Sequence, residues 1–157
     1  PNLTFPFGSY ICVVDIDAKT YEIKIRRFIA IDDCGNIINP MVVEGQIHGG
    51  LTQGLAPAMY EELRYDEDGN ILNGSLMDYL VPTAVETPNW ETDQTVTPSP
   101  HHPLGAKGVA ESPTVGAPPA IANAVIDALS HLGVDSMDIP ITPFKVWQVL
   151  KDKELAA

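Results

Sequence analysis

Positive charge is scarce in this chain. Nine Lys and Arg stand against 21 Asp and Glu, a net charge of −12. No basic cluster interrupts the deficit, which sets aside nucleic acid and anionic membrane surfaces as partners. Cysteine is nearly absent as well. Cys12 and Cys34 form no CxxC pair, and two thiolates cannot supply the four ligands of an ordinary iron–sulfur cluster. Nothing in them calls for an oxidising compartment, which points to the cytoplasm. No apolar run approaches the roughly 20 residues a membrane-spanning helix needs, so no membrane insertion is expected. Charged residues make up only 19%, too few for a long acidic tail.

What remains is 157 residues with 45% hydrophobic content, which suits one domain, 1–157, with a real core. The chain opens PNLTFPFGSY, without Met, and runs almost directly into a strand-like segment. The expectation is a native protein that is longer or is built with partner chains.

Residues 10–16 (YICVVDI) and 21–31 (YEIKIRRFIAI) are rich in β-branched and aromatic types, with Ala18-Lys19-Thr20 as the turn between them. They predict a hairpin. In the second strand Tyr21, Ile23, Ile25 and Arg27 alternate with Glu22, Lys24 and Arg26. Asp32-Asp33-Cys34-Gly35-Asn36 follows at a strand end, where turn residues cluster. Asn39-Pro40 predicts a helix start, with Asn as cap and Pro in the first turn. That helix, about 40–63, contains Gly45, Gly49, Gly50 and Gly54, and Pro57 should kink it. Each interior glycine costs roughly 1 kcal/mol, so close approach of another backbone or of a ligand must compensate. The spacing leaves tight helix packing and a ligand site equally open. Asp66–Asn70 predicts a solvated acidic turn; the rest of an EF-hand loop is missing. Residues 82–104 carry five prolines and read as irregular, with one strand near Gln94–Thr97. His101-His102 reads as an exposed loop pair, since no further His or Cys lies at ligand spacing. AIANAVIDALSHL has a clean helical apolar face, the helix running over about 118–132 with Gly133 as its stop. A shorter helix follows at about 143–153. Together these predict an α+β fold, a mixed or antiparallel sheet with helices packed on it.

The stretch GAKGVAE (105–111) is the chemical oddity. Small residues at 105, 106, 108 and 110 let a ligand reach the backbone. A carboxylate held away from water beside such a surface is suited to general-base work. The rival reading pairs Lys107 with Glu111 at i, i+4 on a helix, against which Gly105, Gly108, Pro113 and Gly116 argue.

Four blocks, DDCGNIINPMVVEGQIHGGLTQGLA (32–56), YEELRYDEDGNIL (60–72), LMDYLVPT (76–83) and LGAKGVAESPTVGAPPAIANAVIDAL (104–129), carry a resemblance to the molybdenum hydroxylases. This is the family of xanthine dehydrogenase, the aldehyde oxidases and the aerobic carbon monoxide dehydrogenase large subunit, with the last group most similar. The resemblance implies the C-terminal part of a molybdopterin-binding subunit. It implies oxidation of an aldehyde, an N-heterocycle or carbon monoxide by a metal-bound hydroxide, with Glu111 as general base. Gln46, Lys107, Gly108, Val109 and Ala110 match cofactor-contacting positions, and Asp32 and Asp33 would lie near the nucleotide end. No residue of the chain is expected to ligate metal. The implied cofactor is molybdopterin, the molybdenum cofactor, with the cytosine dinucleotide as a candidate form. Iron–sulfur and FAD centres would sit on partner segments or subunits, alongside the remainder of the molybdopterin-binding subunit and a small-molecule substrate. One position departs from the pattern: the family usually has Gly directly before the glutamate, where this chain has Ala110. That departure leaves a second expectation, a non-catalytic assembly module of the same fold.

Overall fold

The computed structural model describes residues 4–155. A three-stranded mixed sheet lies at its centre: β1 (Phe7–Ile16), β2 (Ile23–Asp33) and β3 (Trp90–Thr95), in that order. β1 and β2 form the expected hairpin, and β3 runs parallel to β2. β3 begins four residues before the expected Gln94. Three helices complete the fold: α1 (Pro40–Met59), α2 (Glu111–Leu129) and α3 (Pro143–Leu155). The α+β expectation with a mixed sheet therefore holds.

A bulge changes the phase of β2. Val13 pairs with Arg27 but Val14 pairs with Ile25, so Arg26 is extra. Ile23 and Ile25 point to the helices before the bulge, and Phe28 and Ala30 do so after it. Arg27 thus leaves the face that simple alternation assigns it. It is exposed and makes a two-toothed contact with Glu91, at 2.8 and 2.6 Å.

α1 starts where the sequence places it. Asn39 accepts from Val42 N at 3.3 Å, and Pro40 occupies the first turn. It stops at Met59 rather than near 63. Pro57 withholds a backbone donor from the last turn, and Tyr60 N and Glu61 N both converge on Ala56 O. α2 begins at Glu111, well before the expected 118. Pro113 falls in the first turn, where no intrahelical N–H is needed. Pro118 and Pro119 are true interior prolines, each of which costs a helix about 3 kcal/mol. Packing holds the helix through them: Ala117, Ile121 and Val125 are fully buried. A 3-10 turn over Ser130–Leu132 ends at Gly133 with φ 78°, the left-handed stop that was expected.

One core cluster joins these elements. Phe28 from the sheet meets Leu51 and Leu55 of α1 and Ile121 and Val125 of α2, with Ile141 and Val146 closing one end. Burying each such side chain stabilises the fold by about 1.5–3 kcal/mol. Trp90 stands edge-on to Phe28 at 5.2 Å.

The glycines of α1 divide into two pairs. A Cβ at Gly50 would press on Pro113, and one at Gly54 would lie 2.8 Å from the Ala117 Cβ. These two exist for the α1–α2 contact. Gly45 and Gly49 face open space, with nothing within 4 Å of a Cβ. The packing explanation therefore covers only half of the glycines. In the 157-residue chain, Gly54→Val should lower the unfolding free energy by about 1–3 kcal/mol. Gly45→Ala should raise it by up to about 1 kcal/mol. Denaturant titration of both variants checks the contrast.

Candidate active site

Asp32 and Asp33 end β2, and both are buried. Each grips one end of the stretch around GAKGVAE.

Asp33 holds the upstream end. Its Oδ1 lies 2.8 Å from Lys107 Nζ and accepts from Gly35 N at 3.0 Å and Thr97 N at 3.1 Å. Its Oδ2 accepts from Thr95 Oγ1 at 2.9 Å. Burial pushes the Asp33 carboxyl up. Lys107 and the three other donors outweigh burial and hold it well below the usual carboxylate range. Lys107 Nζ also lies 4.5 Å from the centre of the Phe7 ring. The backbone is clamped at the same place. Lys107 N donates to Cys34 O at 2.7 Å, and Asn36 N donates to Gly105 O at 3.0 Å. Gly35 and Gly105 both have positive φ, and a Cβ on Gly35 would collide with the Gly105 carbonyl. Lys107 accordingly does not pair with Glu111. Its side chain turns inward, and the i, i+4 reading fails for that reason.

Asp32 holds the downstream end. The Tyr10 hydroxyl and the Ser112 hydroxyl both donate to Asp32 Oδ1, the latter at 2.5 Å, and the two hydroxyl oxygens are 2.8 Å apart. Asp32 Oδ2 is buried without a partner among the described residues, a situation that costs about 1–3 kcal/mol. Burial and the bond to Asp32 push the Tyr10 hydroxyl above its ordinary value, although Ser112 pulls the other way. That direction agrees with the Tyr10 hydroxyl donating to Asp32. Gly8 and Gly116 flank it; a Cβ on either would collide with the tyrosine.

Between the two grips, Gly108, Ala110 and Glu111 are exposed, while Val109 packs on the core. The amides of residues 108–111 donate to no acceptor among the described residues. A Cβ on Gly108 would meet nothing within 4 Å. Ala110 has φ −57° and ψ −35°, ordinary helical backbone, so its methyl group adds no strain where the resembled family has glycine. Glu111 is the first residue of α2. Its carboxylate makes no hydrogen bond or ion pair among the described residues. It lines a groove of about 580 Å³ walled by Phe5, Phe7, Tyr10, Val115 and Pro119. A second groove, of about 320 Å³, runs beside Ala106, Lys107 and Gly108, with His101 and His102 on its other side.

Gln46 is exposed on α1. α1 and α2 lie side by side and run the same way, Gly50 opposite Pro113 and Gly54 opposite Ala117. Gln46 precedes Gly50 by one helical turn, about 6 Å. It thus stands at the end of the helix pair that carries residues 107–111, on the same side as the open Gly45 and Gly49. Asp32 and Asp33 do not join this open surface; their oxygens face inward.

The histidine pair is exposed, and no cluster of three metal-ligating side chains occurs among the described residues. Burial pushes the Cys12 thiol up to about 11 and raises Cys34 as well, so neither is an activated thiolate. Tyr10 and Ser112 are functional candidates that nothing in the sequence singles out. Their shared partner lies 22 residues from one and 80 from the other.

Comparison with known proteins gives these features a context. A family model described as "Molybdopterin cofactor-binding domain" matches residues 1–88. The carbon monoxide dehydrogenase large chain of Hydrogenophaga pseudoflava is 62% identical over 156 residues, covering 99% of this chain and 19% of that protein. The nicotine 6-hydroxylase large subunit of Paenarthrobacter nicotinovorans is 41% identical, covering 94% of this chain and 18% of its own. The solved structure of reconstituted CO dehydrogenase from Oligotropha carboxidovorans superposes with a TM-score of 0.94 at 56% identity. It covers all of this chain, which spans 20% of that one. The chain therefore spans about a fifth of the length of the relatives it matches. No helix among the described residues is long and apolar enough to cross a membrane.

The buried ion pair yields a test of its own. Lys107→Met should destabilise the chain by about 3–5 kcal/mol at pH 7, because it strands a buried carboxylate. The folded Asp33 value is depressed, so its stabilisation is complete above the ordinary value of about 3.9 and decays as pH falls below it. The gap between wild type and variant should shrink at pH 3, as read by denaturant titration at both pH values.

Proposed function

The chain belongs to the molybdopterin cofactor-binding domain family of the molybdenum hydroxylases, and on that premise we propose that Glu111 is the general base of a molybdenum-dependent oxidoreductase. One observation carries this reading. Glu111 is a carboxylate with no partner among the described residues, on a backbone anchored at both ends, beside a groove large enough for a small molecule. Asp33, by contrast, is spent on its neighbours.

The residues present fit the cofactor. The free amides of Gly108, Val109, Ala110 and Glu111 offer donors to an acceptor-rich ligand. Gly108, Gly45 and Gly49 leave space for a flat group to approach the backbone, and Gln46 adds a side-chain amide at the same end of the helix pair. Lys107 serves as the anchor of this surface, since its amide and its ammonium already have partners. When bound, the molybdenum cofactor supplies the oxidising and oxygen-transferring chemistry. Glu111 then accepts a proton at its carboxylate, which is the step this chain itself contributes. The ordinary backbone at Ala110 supports the catalytic reading over a non-catalytic assembly module.

The 62% identity to a carbon monoxide dehydrogenase supports carbon monoxide as substrate. The nicotine 6-hydroxylase relative supports an N-heterocycle as the second reading. Residues 1–157 act as one domain, the C-terminal part of the molybdopterin-binding subunit. The rest of that subunit completes the cofactor site, in a dinucleotide-accepting form, and electrons leave through iron–sulfur and flavin subunits. The two free thiols suit a cytoplasmic setting.

Glu111→Gln in the complete enzyme should reduce turnover by about 10²- to 10⁴-fold. Molybdenum content, measured by elemental analysis, should stay at the wild-type level. Turnover near wild type would end the assignment.

A further inference from the structure

The Tyr10–Asp32–Ser112 cluster is more elaborate than joining a helix to a sheet requires. Two hydroxyls converge on one oxygen of a buried carboxylate, the other oxygen has no partner among the described residues, and two glycines clear the space for the tyrosine. An apolar contact would tie α2 to the sheet without a buried acid. The cluster also sits at a particular place. α2 has no side-chain cap: Ala110 is the residue before it, and in the first turn Ser112 N reaches Val109 O only through a long bond of 3.3 Å. Ser112, one residue beyond Glu111, takes over the task of fixing that turn, and it does so sideways, onto β2 and β1.

We propose that Tyr10, Asp32 and Ser112 are positioning residues that set the aim of the Glu111 carboxylate by locking the first turn of α2 to the sheet. The inference rests on Glu111 being the base. The Tyr10 hydroxyl directs its proton to Asp32, Asp32 Oδ1 takes the Ser112 proton as well, and the serine backbone is thereby held in one place. Glu111 is the residue immediately before it, so its Cα moves with that lock. Tyr10 and Ser112 line the groove beside Glu111, but their hydroxyls are turned to Asp32, so they act on the reaction through Glu111.

The test uses the assembled enzyme with Tyr10→Phe, Ser112→Ala, Ser112→Thr and Glu111→Gln. Tyr10→Phe keeps the ring between Gly8 and Gly116, and Ser112→Thr keeps the hydroxyl. A lost lock should reduce kcat by about 10- to 100-fold in Tyr10→Phe and Ser112→Ala, since sub-ångström to ångström misplacement of a reacting group has effects of that order. KM should change by less than about three-fold, as removing one hydroxyl leaves the shape of the groove wall in place. Molybdenum content should be unchanged, and Ser112→Thr should recover most of the activity. Amide hydrogen exchange over residues 108–114 should accelerate in the two damaging variants and stay level elsewhere. In a Glu111→Gln background, Tyr10→Phe should bring no further loss, because both act through one carboxylate.

Unchanged kcat in Tyr10→Phe and Ser112→Ala, with Glu111→Gln inactive, overturns the positioning role and leaves the base intact. An additive further loss in the double variant overturns it too, as does loss of molybdenum from both single variants. An active Glu111→Gln enzyme instead overturns the base itself, and with it the purpose of the lock. The exchange measurement then still reports whether the lock exists.

Discussion

The buried pair between Lys107 and Asp33, with Asp32 beside it, organises everything at the functional end of this chain. Two adjacent acids at the tip of β2 receive both ends of a glycine-rich segment: Asp33 through the Lys107 ammonium, Asp32 through the Ser112 hydroxyl. Adjacent residues on a strand normally point to opposite faces. Here the strand is ending, and the two carboxylates serve two different neighbours. A segment of small residues has little to pack and would otherwise be mobile. Held at 107 and at 112, it presents four free amides and one carboxylate in a defined arrangement. Electrostatics thus supplies the order that side-chain packing cannot supply in such a stretch.

The same end of the molecule depends on how closely two helices approach. Gly50 and Gly54 let α1 lie against Pro113 and Ala117 of α2. That contact sets Gln46 one helical turn before the crossing of Gly50 with Pro113. It also sustains α2 through two consecutive prolines that would break an isolated helix. The open pair, Gly45 and Gly49, continues the glycine pattern beyond the packed region. Four glycines with one spacing therefore do two jobs, and only the position of the second helix separates them.

Much of the scaffold was legible from local rules. The hairpin, the Asn39-Pro40 start, the Gly133 stop and the last helix follow from patterns whose physical cause lies within a few residues. The errors are equally instructive. The phase of β2 flips at Arg26, because a bulge is a property of two strands together and not of one. α2 begins seven residues before the expected 118, because prolines at 113, 118 and 119 read as helix breakers until burial against α1 and β1 is known.

The site divides along the same line. The order of residues in GAKGVAE and the four blocks around it identify a family, a cofactor class and a candidate base, since those depend on residue type and spacing. Which groups hold that base depends on contacts across 22 to 80 residues of chain. No sequence pattern states that Lys107 turns inward to Asp33 and away from Glu111, or that the Tyr10 side chain reaches from β1 to Ser112. Hydrogen bonds and ion pairs act over about 3 Å in space. The sequence by itself determined which chemical groups are available, and only the tertiary structure decided which of them are spent on one another and which are left free to act.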